Sequence, residues 1–106
     1  MTLRMRIIKT SMLKEFWQAH RGAEASLRTW VQQTRAAQWR SFSDLRGTFP
    51  HADQVRVASE KPVVIFNIAQ NRYRLIAAVH YNTAIVFTLM ILTHKEYDRD
   101  TWKDQL

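Results

Sequence analysis

A chain of 106 residues that is 46% hydrophobic, with four Trp and five Phe, has the size and apolar content for one domain around one core. Two Gly, two Pro and no cysteine argue against a disordered or repeat-built chain and exclude a disulfide framework or a thiol nucleophile. Sixteen Lys and Arg against nine Asp and Glu leave a formal net charge of +7, and a basic surface draws polyanions, nucleic acid foremost. The excess is uneven: residues 1–46 hold nine basic and three acidic residues, residues 47–106 seven and six.

In chain order, Arg4 to Ile8 reads as a short strand, with Thr10 or Ser11 placed to cap a following helix. Met12, Leu13, Phe16, Trp17 and His20 fall on one helical arc, opposite Lys14, Glu15 and Gln18. Gly22 breaks this helix and a second begins near Ala23, with Ala23, Leu27, Trp30, Val31 and Thr34 as its apolar stripe. Glu24 precedes Arg28 by four residues, the favourable order for a surface pair. Arg21, Arg28 and Arg35 recur every seven residues beside that stripe, either as a solvated helix face or as an edge that tracks RNA phosphates.

Ala36 to Pro50 is a connector anchored by Trp39, Phe42, Leu45 and Phe49, with a single helical turn expected from Ser43 or Asp44 to Gly47. A short strand is expected near Gln54 to Ala58, a turn at Ser59 to Pro62, and a strand over Val63 to Ile68. Ala69-Gln70-Asn71 joins it tightly to a strand over Tyr73 to His80, on which Tyr73, Leu75, Ala77 and Val79 share one face and Arg74, Ile76, Ala78 and His80 the other. Tyr81-Asn82-Thr83 reads as a turn, because Asn tolerates the left-handed conformation a hairpin needs. Ala84 to Leu92 is nearly unbroken hydrophobe, the pattern of a central strand. Thr93 to Asp98 then crowds polar and titratable groups at its end, and a short helix over Arg99 to Asp104 folds Trp102 back on the body.

Helices first and antiparallel strands after make an α+β layout, in sequence order β-α-α-β-β-β-β, as a single domain over residues 1–106. The longest apolar run is far short of a membrane span, and Met1 to Lys9 carries no apolar stretch of the signal-peptide kind, so a cytoplasmic protein without membrane contact is expected.

Several stretches together resemble a known family: Phe66-Asn67-Ile68, Asn71-Arg72-Tyr73-Arg74-Leu75-Ile76 and the terminal Thr93-His94-Lys95-Glu96-Tyr97-Asp98. Upstream, Trp39, Phe42-Ser43-Asp44-Leu45, Thr48-Phe49-Pro50 and Ala52-Asp53 fit the same pattern. The chain from about Arg6 onward is similar to the HigB family of type II toxins, within the RelE-like superfamily of messenger-RNA endoribonucleases. The resemblance implies a RelE-like, mainly antiparallel sheet with the two helices packed on one face and the other face partly open, edged by Arg74, His80 and the 93–98 segment. It implies cleavage of messenger RNA, in association with the ribosome. It also implies neutralisation by a HigA-like helix-turn-helix antitoxin, through which alone operator DNA would be met. The sequence departs from the family at Leu89, where a basic residue on the last strand is common.

Metal-free RNA cleavage needs a group to take the proton of a ribose 2′-hydroxyl, another to protonate the leaving 5′-oxygen, and cations for the phosphorane between them. Arg74 suits the last role, since a guanidinium is a rigid fork that matches two phosphate oxygens; the resemblance likewise implies an arginine at this strand position. The dull alternative is a surface arginine. His94 can serve as acid or base, or can simply bond a backbone carbonyl at a strand end. Tyr97 can donate or relay a proton, stack on a base, or lid the core. Lys95 is a second cation or a solvated charge. With these four as catalytic candidates, Arg72, Arg21, Arg28, Arg35, His80 and His51 form the candidate RNA-contacting set, while Asn67 and Asn71 are read as shaping the hairpin. No metal or other cofactor is expected: His20, His51, His80 and His94 are scattered, and there is no Gly-rich phosphate loop. A non-catalytic RNA- or ribosome-binding module, and a structural subunit whose basic face meets only an antitoxin, are the other readings.

Overall fold

The structure, a computed structural model, describes residues 3–106. Strand β1 (Arg6–Ile8) leads to helix α1 (Thr10–Ala19), a 3-10 turn at Arg21–Ala23, helix α2 (Glu24–Ala36) and helix α3 (Phe42–Thr48). Strands β2 (Asp53–Arg56), β3 (Pro62–Ile68), β4 (Tyr73–His80) and β5 (Ile85–Thr93) follow, then helix α4 (His94–Asp98) and a 3-10 segment at Thr101–Gln105. One sheet runs in the order β1-β5-β4-β3-β2, antiparallel except where β1 lies parallel to β5 with Ile7 opposite Val86. This is the expected α+β layout with α4 added, with α3 in place of the single turn expected, and with the helix expected over Arg99 to Asp104 formed as the 3-10 segment Thr101–Gln105.

Strand alternation sorts β4 as its pattern requires. Tyr73, Leu75, Ala77 and Val79 join the core under α1 and α2, with Leu13, Trp17, Leu27 and Trp30. Ile76 faces the other way, into a smaller cluster with Val57, Val63, Ile65 and Trp102. The C-terminal segment therefore covers the middle of the second face and leaves its two ends open. Phe66 is the hub of the larger core. Its ring meets Trp30 edge-on at 5.3 Å and Phe49 at 5.2 Å, and Phe49 in turn meets Trp39 at 5.8 Å. Rings of this size bury more apolar area than any other side chains, so this quartet fixes how α2 and the connector lie on the sheet.

Local expectations give way where long-range contacts are stronger. Thr10 is the first residue of α1 and not its cap: the cap position is Lys9, left-handed at φ 71° with no side-chain cap. Thr88 explains that entry, because its buried Oγ1 reaches both the Ile8 carbonyl at 3.1 Å and the Lys9 carbonyl at 3.0 Å. Helix α3 is longer than the single turn expected. Ser41 Oγ accepts from the Asp44 amide at 3.2 Å, Asp44 Oδ2 accepts from the Arg40 amide at 2.9 Å, and the helix passes through Gly47 to Thr48, whose Oγ1 accepts from Trp39 Nε1 at 3.0 Å. In the β4–β5 connection the left-handed residue is Ala84, at φ 57°, and not Asn82. Ala84 is buried and its carbonyl accepts from the Arg6 amide at 2.8 Å, so the parallel edge strand holds it there.

The β3–β4 bend is the most strained stretch. Ala69, Gln70 and Asn71 are all left-handed, at φ 53°, 55° and 72°, a conformation that costs a residue with a Cβ on the order of 1–2 kcal/mol. Three bonds offset this. Ala69 N–H donates to Ser26 Oγ on α2 at 3.0 Å, Arg72 N–H to the Ala69 carbonyl at 3.2 Å, and Arg74 Nη1 to the Asn71 carbonyl at 2.7 Å.

Candidate active site

Arg74 lies on the second sheet face in a cross-strand row with Asn67 on β3 and Leu92 on β5. One row further along come Asp53, Ile65, Ile76 and Met90. Nη1 of Arg74 is used by the bend, donating also to the Tyr73 carbonyl at 3.3 Å, and this fixes the guanidinium plane. Among the described residues, its Nη2 and Nε carry no hydrogen bond, so the fork keeps donors for an incoming anion. The guanidinium carbon stands 5.4 Å from the Tyr97 ring centroid, within cation–π range.

Tyr97 is brought there by a helix that was not among the expected elements, although Thr93 followed three residues on by Glu96 is its signature. The 93–98 hexapeptide turns into α4, started by a capping box in which Glu96 N–H donates to Thr93 Oγ1 at 3.2 Å and Thr93 N–H donates to Glu96 Oε1 at 3.0 Å. The Thr93 backbone bond, reinforced by its hydroxyl, by Arg99 and by His20, holds the Glu96 carboxyl below the usual carboxylate range against a smaller opposing effect of burial. Tyr97 then stacks on Trp102 at 5.4 Å, and Trp102 Nε1 donates to the Tyr97 carbonyl at 3.1 Å. Lys103 lies over the Trp102 ring at 5.7 Å. Burial pushes the Tyr97 phenol up, and the Asp53 carboxylate adds to the rise, while Lys103 and Arg74 pull the other way. The phenol is thereby kept as a proton donor.

His94 begins α4. Its amide donates to the Arg72 carbonyl at 2.9 Å, and its Nδ1 lies 2.8 Å from Asp98 Oδ2. A carboxylate at Nδ1 calls for a proton on that nitrogen, which makes Nε2 the atom able to exchange one. The imidazole is 54% exposed, and it is engaged by Asp98 and not by Arg74 or Tyr97. Lys95 is exposed on the same helix.

The proposed RNA-contacting residues do not form one surface. Arg72 Nη1 reaches back over the first 3-10 turn, 3.5 Å from where a Cβ on Gly22 would stand. Arg21 is exposed within that turn. Arg28 pairs with Glu24 at 2.8 Å, as the spacing predicts, and with Arg35 lines a cleft between α1 and α2 on the far side of the sheet. His80 is edge-on to Phe87 at 5.4 Å at the other end of β4, about 20 Å from Arg74 at strand rise. His51 and Asn67 line a small pocket beside Phe49 and Phe66. Leu89 is the extra residue of a bulge opposite Ile76 and Ala77 and packs into the smaller cluster.

Two residues beside the Arg74–Tyr97 pair were not among the candidates. Asn67, read above as a hairpin residue, is directly across from Arg74, and Asp53 acts on Tyr97. The signal for Asn67 was present: Val63, Ile65 and Asn67 alternate onto one face, so a tight bend must set Asn67 beside Arg74. Asp53 needed the β2–β3 register. Among the described residues no group of His, Asp and Glu side chains is arranged to hold a metal ion, and no helix is long and apolar enough to cross a membrane.

A family model described as HigB_toxin, the RelE-like toxic component of a toxin-antitoxin system, matches residues 23–100. The chain belongs to the HigB toxin family. This match spans α2 to the residues just past α4, so it takes in the bend, Arg74 and the whole hexapeptide of this HigB-family toxin, and it leaves β1 and α1 outside. No curated protein matches the chain. As the toxic half of a two-component system, the toxin has an antitoxin for its partner.

Proposed function

We propose that this toxin is an endoribonuclease that cuts messenger RNA, engaged with the ribosome, without a metal ion. The contact between Arg74 and Tyr97 on the open end of the sheet carries this reading. It sets a fixed guanidinium with unused donors beside a phenol held in its protonated form. Nε2 of His94 takes the proton of the 2′-hydroxyl, the 2′-oxygen attacks phosphorus, and the fork of Arg74 binds the phosphorane oxygens. The 5′-oxygen leaves with the Tyr97 proton, and a 2′,3′-cyclic phosphate remains on the upstream fragment. Lys95 and Lys103 add positive charge near α4. Orientation of the substrate by the ribosome supplies what an exposed imidazole does not, since positioning alone can contribute several powers of ten. A HigA-like helix-turn-helix antitoxin neutralises the toxin in the cytoplasm and carries any contact with operator DNA.

The alternative is a non-catalytic RNA- or ribosome-binding module, and the exposed, Asp98-paired imidazole of His94 favours it. Induction of the wild type and of Arg74→Ala, followed by mapping of RNA 5′ ends, separates the two. New ends in the wild type that vanish in the variant are expected. Growth arrest without new ends in either protein would replace the nuclease by the binding module.

A further inference from the structure

A cleft of about 540 Å³ lies between α1 and α2, behind the sheet and away from Arg74. Leu13, Trp17 and Val31 form its floor, the first two buried and Val31 half-buried. Arg4, Lys14, Arg28 and Arg35 stand around it, all exposed. The described residues lining it include no acidic side chain, and Arg28 is paired with Glu24.

Charge alone would admit RNA, but the floor argues against it. Single-stranded RNA is held by aromatic faces that bases can stack on. The one aromatic ring here, Trp17, is only 9% exposed, and the Arg28 guanidinium lies 4.7 Å from its ring centroid. A cleft with a basic rim, a half-buried Val31 beside the buried Leu13 and Trp17, and no free ring matches an amphipathic helix whose charged flanks meet the rim while an aliphatic side chain meets Val31. We propose that this cleft seats the antitoxin, through an amphipathic helix whose flanking Asp or Glu side chains face Arg4, Lys14 and Arg35. The proposal rests on membership of a toxin-antitoxin family and not on the nuclease reading.

The test measures binding of the purified full-length toxin to its cognate antitoxin by calorimetry, with Lys14→Glu/Arg35→Glu and Val31→Ser as cleft variants. Arg56→Glu/Lys61→Glu, on the β2–β3 side of the sheet, carries the same change of charge. Circular dichroism and thermal melts report whether each variant folds. The cleft charge reversal is expected to weaken antitoxin binding tenfold or more, Val31→Ser severalfold, and the distant reversal less than twofold. Hydrogen exchange in the wild-type complex should slow across α1 and α2, a readout that depends on no variant. Unchanged affinity in both cleft variants, or no slowing in α1 and α2, overturns the proposal. So does a cleft reversal that spares antitoxin binding but weakens binding of a single-stranded RNA oligonucleotide tenfold, which would assign the cleft to nucleic acid. No cleavage enters any of these measurements, so they test the cleft equally well on a toxin that cuts nothing.

Discussion

The guanidinium of Arg74 lies 5.4 Å from the ring of Tyr97, while one of its nitrogens is tied 2.7 Å from the Asn71 carbonyl. One side chain thus closes a strained bend and faces a phenol from another element. Lysine can supply the charge but not a planar fork that does both. Arg74→Lys should lower RNA cleavage at least tenfold, and Tyr97→Phe, which keeps the ring and loses the proton, roughly a hundredfold or more. Single-turnover assays on ribosome-bound messenger RNA check both. A Tyr97→Phe toxin cutting at the wild-type rate would remove the phenol from the chemistry.

The phenol's ionisation can be followed directly. Asp53 raises the Tyr97 pKa and Arg74 lowers it, both on top of the larger effect of burial. Asp53→Asn should therefore move the titration of Tyr97 down and Arg74→Ala should move it up. Carbon NMR of ring-labelled tyrosine reads each shift; movement in the opposite sense for either variant would contradict the geometry.

The α4 capping box predicts a pH dependence. The Glu96 pKa is lower in the folded toxin than the ordinary 4.5, so folding favours the ionised carboxylate. Its stabilising contribution is complete above the unfolded value and is lost as pH falls below 4.5 through the folded one. Thr93→Ala, which deletes the cap, should cost about 1 kcal/mol at neutral pH and should flatten this acid limb. Denaturant titrations across the acid range decide the matter; an unchanged limb in Thr93→Ala would mean the box does not couple to folding.

Ser26 on α2 reaches across to the Ala69 amide at 3.0 Å, and that amide opens the left-handed bend before Arg74. Ser26→Ala leaves the donor without its acceptor and should cost about 1 kcal/mol. Exchange of the Ala69 amide should accelerate, and cleavage should fall although Ser26 is remote from the row of Arg74. Faster exchange without loss of activity would show that the bend does not aim the guanidinium.

Thr34 is fully buried in the stripe of α2, and its Oγ1 has no partner among the described residues. A hydroxyl in that position is desolvated without compensation, at a cost of about 1–3 kcal/mol. Thr34→Val keeps the branched shape and should raise stability by about 1 kcal/mol, read as a higher denaturant midpoint at unchanged slope. A lower midpoint would reveal a partner for the hydroxyl.

Much of the architecture is written in local periodicity. The stripe from Ala23 to Thr34, the alternation along Tyr73 to Val79 and the apolar run before Thr93 each state a buried face within a few residues, because hydrophobic burial depends on which side of an element a residue occupies. The pairing of Glu24 with Arg28 and the return of Trp102 to the body follow from equally short-range patterns. The candidate site was legible in part. Arg74 and Tyr97 both stand out in the sequence, but only as members of motifs along the chain.

What the tertiary structure alone decided depends on contacts between residues far apart in sequence. Thr88 fixes the left-handed entry to α1 from 79 residues away, and Ser26 holds the Ala69 bend from a distance of 43 residues. The β2–β3 register brings Asp53 to Tyr97, and α4 swings the phenol over Arg74 while the imidazole goes to Asp98. The basic residues that look like one population in the sequence are divided by the sheet, with Arg28 and Arg35 behind it and Arg74 in front. Periodicity says which side of its own element a residue faces; only the packing of elements on one another says what it faces there.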